Sequence, residues 1–393
     1  MKKILFLIHT LGGGGAERVL VDLVNNLDKR NYEITVMTVV DTGIYKETLL
    51  PEIKYKTMFK LPEFIKGKNE SGSLLNDMSG KRKALIKIYT LFWKYVSPKL
   101  IYRYFIKDIY DYEVAFLEGI CAKIIGSSSN PKAKKYAWIH VDLINQRKSG
   151  NVFKNLREEK QTYGRFDKIV CVSEFVREQF MKLFKLEKTN VVVKYNPIDE
   201  KVIYEKSLAE ICDMVTKRKF TICSIGRLNK QKSYIRLLKV VNELYKNNFD
   251  FDLWIIGEGT DKGNLLEYIK TNHLSDKVFL LGYKKNPYCL LKQADLFVCS
   301  SLVEGYSTAV TEAVILGIPV LTTDCSGMRE ILGNSEYGII VENSIKGIKD
   351  GLEKILTDRS FRDYYQHQVE RRRENFRLAP QIKAIEELFM SER

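Results

Sequence analysis

Glu304 and Glu312 stand eight residues apart in the run EGYSTAVTE, between an apolar stretch, Leu296 to Cys299, and Gly317-Ile318-Pro319. A strand that ends in an acid and Gly305, with Ser307 and Thr308 as candidate N-caps, aims the free amides of a new helix beyond the sheet edge, and such a place suits a phosphate. Glu304 is expected in the loop and Glu312 inside the helix about two turns on. The two carboxylates would then meet different parts of one elongated, polar, anionic molecule. The spacing by itself is common in a Glu-rich chain, and two solvated acids favoured by a helix dipole would share it. Its weight comes from the strand, glycine, cap, helix and Gly-Pro stop around it.

Three further loops carry polar or glycine-rich runs. His9-Thr10-Leu11-Gly12-Gly13-Gly14-Gly15-Ala16-Glu17-Arg18 lets backbone amides approach a ligand, or is a turn with no ligand. It departs from GxGxxG, with Glu17 where the third Gly belongs, and no GxxxxGK[ST] occurs, which disfavours dinucleotide oxidoreductases and P-loop NTPases. Gly226-Arg227-Leu228-Asn229-Lys230-Gln231-Lys232 offers a guanidinium fork and a movable ammonium, together able to neutralise a diphosphate leaving group, although surface loops often carry such residues. Ile255-Ile256-Gly257-Glu258-Gly259 lets a base or ribose come close to the backbone. Just before it, Asp250-Phe251-Asp252 is a formal DxD, but at the amino end of a strand, away from where ligands bind. His9, His140, His273 and His367 show no metal-ligand spacing, so no metal is expected. His140 ends a strand, in Trp138-Ile139-His140-Val141-Asp142, and reads either as a site residue or as a satisfied structural histidine.

These loops need strands to carry them, and apolar runs supply them: Ile4–Ile8, Ile34–Val40, Val114–Leu117, Tyr136–Ile139, Ile169–Val172 and Val191–Tyr195, then Phe220–Ile225, Leu253–Ile256, Val278–Leu281, Leu296–Cys299, Val320–Thr322 and Gly338–Val341. With helical patterns between them, they predict two Rossmann-like parallel-sheet domains, jointed near Asn196-Pro197-Ile198-Asp199 and facing a central cleft. The boundaries are set at 1–198, 199–375 and 376–393, the last a helix returning to the first domain after Pro380 breaks the run. Ligands of open parallel sheets lie off the carboxyl ends of the strands, where all four loops fall.

At 393 residues and 45% hydrophobic the chain can bury two cores. KKILFLIH is read as a first strand, its apolar run being too short for a signal peptide. Seven cysteines without a CxxC pair read as reduced core residues of a cytoplasmic protein. A net charge of +15 asks for an anionic partner. Between Lys81 and Lys107 there are eight basic residues and no acid, interleaved with aromatics. Lys83, Lys87 and Lys94 fall on one helix face, and Leu85, Ile88, Phe92 and Val96 on the other, which suits a helix at an anionic membrane surface or one packed on a core with a solvated basic face. No nucleic-acid motif occurs and no nucleic-acid partner is expected.

GGGGAERV, SIGRLNKQK, WIIGEG, LLGYKKNPY and ADLFVCSSLVEGYSTAVTEAVILGIPVL, in this order, resemble the retaining glycosyltransferases of family 4, with the two-domain GT-B fold. The likeness is strongest from Phe220 to Glu330 and weak between Lys56 and Asp111. It implies a nucleotide-sugar donor, a UDP-sugar foremost, no cofactor, and a glycan or lipid-linked acceptor at the inner membrane face, with transfer under retention. By the same resemblance Arg227 and Lys232 hold the diphosphate, Glu312 the ribose hydroxyls and Glu304 the sugar ring. Gly305, Tyr306 and Ser307 offer amides to sugar and phosphate, and His140 lies near the reacting centre. Gly14 and Gly15 border donor and acceptor, while Tyr283, with Gly257 and Glu258, flanks the base. Ser307 and Thr308 replace the family's more usual apolar pair. A nucleotide-sugar hydrolase or epimerase of the same fold, and a non-catalytic nucleotide-sugar-binding subunit, are the other readings.

Overall fold

The apolar runs form two all-parallel sheets, each covered by helices, in a computed structural model that describes residues 1–60, 80–186, 190–210 and 215–390, with the backbone only of 80–86 and 148–149. The chain falls into two compact units, Met1–Pro197 with Ala379–Arg393, and Ile198–Leu378.

In the first unit the order is β1 (Lys2–Ile8), α1 (Gly15–Asn26), β2 (Tyr32–Val40), β3 (Lys54–Phe59), α2 (Gly80–Tyr95), α3 (Pro98–Phe105), β4 (Tyr112–Ala115), α4 (Ile120–Ile125), β5 (Lys134–Ile139), α5 (Leu156–Tyr163), β6 (Lys168–Cys171), α6 (Glu174–Phe184) and β7 (Val191–Val193). The second runs α7 (Glu200–Ser207), β8 (Thr221–Ile225), α8 (Tyr234–Lys246), β9 (Asp252–Ile256), α9 (Lys262–Thr271), β10 (Val278–Gly282), α10 (Tyr288–Leu291), β11 (Leu296–Cys299), α11 (Thr308–Ile315), β12 (Val320–Thr323), α12 (Met328–Leu332), β13 (Ile339–Val341), α13 (Ile345–Thr357) and α14 (Arg359–Arg373). A last helix, α15 (Leu378–Met390), returns the chain to the first unit.

The first sheet is ordered β3-β2-β1-β4-β5-β6-β7 and the second β10-β9-β8-β11-β12-β13. In each the order reverses beside the unit's first strand, between β1 and β4 and between β8 and β11. At such a switch point the loops leave on opposite sides and open a crevice at the carboxyl ends of the strands. The Gly12–Gly15 loop follows β1, Gly226–Lys232 follows β8, and Glu304–Ser307 follows β11, so the first and the last two loops stand at the switch points.

Two expectations change. A strand without a long apolar run, β3, forms at the sheet edge, where Lys54 and Lys56 pair with Glu33 and Asp108; edge charges of this kind discourage further strand pairing. Pro380 does not break a helix: it lies in the first turn of α15, where its missing N–H would have had no partner. On α15, Phe389 packs against Phe6, Tyr32, Tyr112 and Tyr136, and the Tyr136 hydroxyl donates to the Leu388 carbonyl at 3.2 Å.

The segment Lys81–Lys107 is α2 and α3. Lys83 and Leu85 lie outside the described side chains. From Lys87 onward the apolar stripe faces outward: Ile88 is 62% exposed and Tyr95 65%, with Leu91 and Phe92 between them, and Leu100 and Tyr104 continue the patch on α3. Among the described side chains of α2, the one buried is Trp93, against Phe59. Buried Lys123 fixes this orientation by donating to the carbonyls of Trp93 at 3.0 Å, Lys94 at 3.3 Å and Val152 at 2.8 Å, satisfying carbonyls that the end of α2 leaves open.

Candidate functional site

At the β8/β11 switch point, Lys232 Nζ donates to Glu304 Oε1 at 2.7 Å, and Ser301 Oγ donates to the same oxygen at 2.5 Å. Three further bonds join the Gly226–Lys232 loop to the loop after β11, and two more brace them from within the first loop and from β12. Asn229 Oδ1 accepts from Lys232 N, Ser300 Oγ donates to Lys232 O, Leu302 N donates to Gln231 O, Gln231 Nε2 donates to Val303 O, and Thr323 Oγ1 donates to Ser301 O. The carboxylate is 7% exposed. Burial works against the charge of Lys232, but the neighbouring Glu304 carboxylate prevails and holds the ammonium well above its ordinary value, so the pair is ionic. Arg227 shares the loop, is exposed, and takes no part in this pair.

Ser307 caps α11, its Oγ accepting from Val310 N at 3.4 Å, and every residue of α11 after Thr308 is buried. Thus Gly305, Tyr306 and Ser307 form the turn into the helix, as the strand-Gly-cap pattern implied, and Glu312 lies inside it, 9% exposed, accepting from the Tyr288 hydroxyl at 3.0 Å. On the neighbouring strand ends, Gly226 N donates to Ile256 O and Leu228 N to Glu258 O, locking the β8 and β9 loops together. Gly257 makes this approach possible: its φ is +149°, and a Cβ there would lie 2.0 Å from the Gly226 carbonyl oxygen. Glu258 is paired with Lys262 at 2.7 Å, and Tyr283 follows directly on β10. Lys232, Glu304, Glu258 and Tyr283 therefore all sit off the carboxyl ends of β8 to β11, with Arg227 beside them.

The remaining predicted residues belong to the first unit. Gly14 is the N-cap of α1 and Gly15 its first residue; a Cβ on Gly14 would meet Glu17 Oε2 at 2.2 Å, so the bare backbone leaves room for the Glu17 carboxylate to fold back over the cap. His140 lies just past the end of β5, in contact with Phe116. Burial pushes its pKa down to about 4, and its ring bonds the Phe116 carbonyl. Among the described residues Nε2 of the ring has no hydrogen-bond partner. Its backbone N–H donates to Glu118 Oε2 at 3.2 Å.

Among the described residues no group of three or more His, Cys, Asp or Glu is placed to hold a metal. The DxD acids are engaged at the amino end of β9, Asp250 with Lys219 at 2.5 Å and Asp252 with Arg218 at 3.4 Å. Cys121, Cys171, Cys223, Cys289 and Cys299 are buried and free, Cys325 is partly buried and free, and Cys212 lies outside the described residues. Sequence reasoning missed Ser301 and Tyr288. Ser301 lies in the SSLVEG run, yet a serine there carries no distinguishing signal, and Tyr288 meets Glu312 across 24 residues of chain.

Residues 214–373 match the family model of glycosyl transferases group 1. Over 384 residues, 96% of each chain, the protein is 28% identical to the N-acetylgalactosamine-N,N'-diacetylbacillosaminyl-diphospho-undecaprenol 4-alpha-N-acetylgalactosaminyltransferase of Campylobacter jejuni. It is 26% identical, over 49% of this chain and 50% of the relative, to the UDP-Gal:alpha-D-GlcNAc-diphosphoundecaprenol alpha-1,3-galactosyltransferase of Escherichia coli. The crystal structure of Anabaena HepE in complex with UDP and glucose superposes with a TM-score of 0.73 at 16% identity, covering 100% of both chains, which shows the shared fold of two Rossmann-like domains. Residues 214–373 are thus a glycosyl transferases group 1 domain, and the chain that carries them is a glycosyltransferase.

Proposed function

We propose that the chain moves a hexosyl or N-acetylhexosaminyl group from a UDP-sugar to a lipid-linked or growing glycan, with retention at the anomeric carbon, while attached peripherally to an anionic membrane face on the cytoplasmic side. The observation that carries it is the Lys232–Glu304 pair held at the β8/β11 switch point. An ammonium already buried and charged there is preorganised for the charge that develops on a departing diphosphate, which is the form of electrostatic help that lowers such barriers most. UDP in the HepE complex supports the base, and the diphosphoundecaprenol in the names of the two relatives supports a lipid-linked acceptor.

In this reading Arg227 and Lys232 take the diphosphate, and Gly305, Tyr306 and Ser307 present amides at the start of α11. Gly257, Glu258 and Tyr283 line the base, Glu312 holds the ribose, and Glu304 bonds the sugar ring. Gly14, Gly15 and His140 Nε2 serve donor and acceptor from the first unit. The bond from the anomeric carbon to the diphosphate oxygen breaks, the acceptor hydroxyl bonds to that carbon on the same face, and its proton passes to the departing phosphate. No metal or cofactor enters. The outward stripe of α2 and α3, with Lys87, Lys94, Lys99, Arg103 and Lys107 around it, provides the membrane contact.

Transfer from a panel of UDP-sugars to polyprenyl-diphosphate glycans, followed by product stereochemistry, tests the reading. Glu304→Ala, Arg227→Ala and Lys232→Ala are each expected to lower kcat/KM by about 100-fold or more while the proteins remain folded. Full activity in all three would sink it, as would turnover to free sugar alone.

A further inference from the structure

The two carboxylates of EGYSTAVTE are each held by a hydroxyl that the motif does not contain, Glu304 by Ser301 and Glu312 by Tyr288. The second of these has a built-in address. At the end of β10, Gly282 turns the chain with φ at +70°, and Asn286 fixes the following loop: its Nδ2 donates to the Lys206 carbonyl at 2.8 Å and its Oδ1 accepts from Tyr288 N at 3.2 Å. Tyr288 opens the one-turn helix α10, all of whose residues are buried, so its ring cannot swing. Its hydroxyl is aimed at a carboxylate on a different helix, itself only 9% exposed.

A carboxylate on a helix chooses among several rotamers, and freezing that choice before a ligand arrives removes an ordering cost from binding. From this geometry we infer that Tyr288 is a positioning residue for nucleotide recognition: its hydroxyl presets the Glu312 carboxylate to accept from the vicinal ribose hydroxyls of a uridine diphosphate. This rests on the reading of Glu312 as the ribose ligand, and it assigns Tyr288 no contact with the nucleotide. Removing the hydroxyl leaves the ring in place while taking this one bond from the carboxylate.

The test compares UDP with 2′,3′-dideoxy-UDP, binding measured by calorimetry, in the full chain and in Glu312→Gln and Tyr288→Phe. The unaltered protein is expected to prefer UDP. Tyr288→Phe is expected to lose roughly 10- to 150-fold in UDP affinity, the usual worth of a hydrogen bond to a charged group, and almost nothing for the dideoxy analogue. Equal weakening toward both nucleotides would mean that Tyr288 only packs, and would overturn the inference. Discrimination lost in Glu312→Gln but kept in Tyr288→Phe would also overturn it while leaving the ribose role intact. Discrimination kept in Glu312→Gln would remove the ribose role itself, and the inference with it.

Discussion

Lys232 and Glu304 are worth more as a pair than either is alone. With the carboxylate 7% exposed, replacing only the lysine strands a buried charge. Lys232→Met is therefore expected to destabilise the second unit by roughly 2–4 kcal/mol, and the double variant Lys232→Met with Glu304→Gln to regain most of that, both measured by denaturant unfolding. His140 makes a second residue-level statement. Its folded pKa of about 4 lies below the ordinary 6.5, so the unfolded chain takes the proton first. The histidine's contribution is complete above pH 6.5 and is lost as pH falls toward 4, by up to about 3 kcal/mol. Buried Glu159, beside Arg147, has its pKa raised by burial to about 7, so its effect opposes this one, with stability falling as pH rises from 4.5 through 7. Stability profiles of His140→Gln and Glu159→Gln from pH 4 to 8 are expected to separate the two, the first flatter below 6.5 and the second flatter below 7. Lys232 and Glu304 were legible in the sequence because strand-end loops advertise themselves by an apolar run followed by glycine. Ser301 and Tyr288 were not, since hydroxyls become informative only when folding shows which carboxylate they face.

Helices and strands differ in how far their sequences announce them. Strands with two buried faces, such as β1 after its lysines and β11, read as unbroken apolar runs. At the edge, β3 alternates Lys54 and Lys56 with Tyr55 and Thr57, and its pattern gives no such run. Periodicity drew the correct helix at α2 but could not say which face would be covered, since that depends on Lys123 gripping its carboxyl end and Trp93 filling the space against Phe59. The consequence is a sharp contrast between neighbours on one helix. Trp93→Ala is expected to cost about 3–5 kcal/mol in thermal unfolding. Phe92→Ser and Tyr95→Ser together are expected to shift stability by no more than about 0.5 kcal/mol each, yet to abolish co-sedimentation with anionic vesicles at physiological salt. Vesicle binding that survives the double serine variant would remove α2 from the membrane contact.

On the scale of the whole molecule, the chain leaves the first unit once, near Pro197, and returns once, near Leu378. The second unit is thus continuous in sequence and owns a core of its own, whose described members run from Ile222 on β8 to Tyr365 on α14. The first unit is discontinuous. Phe389 of α15 touches four aromatic rings of its sheet, and removing α15 would expose Phe6, Tyr112 and Tyr136 together. Unequal independence follows. Residues 198–378 alone are expected to unfold cooperatively and, because Arg227, Lys232, Glu258, Tyr283 and Glu312 all lie on them, to bind UDP within about tenfold of the full chain, a change of roughly 1.4 kcal/mol. Residues 1–197 without α15 are expected to expose enough apolar surface to bind hydrophobic dyes and aggregate, and Phe389→Ala in the full chain to lower the unfolding temperature of the first unit first. A folded 198–378 fragment that ignores UDP would show that nucleotide binding does not reside on the second unit alone, and with it the division of labour between the two sheets would fall.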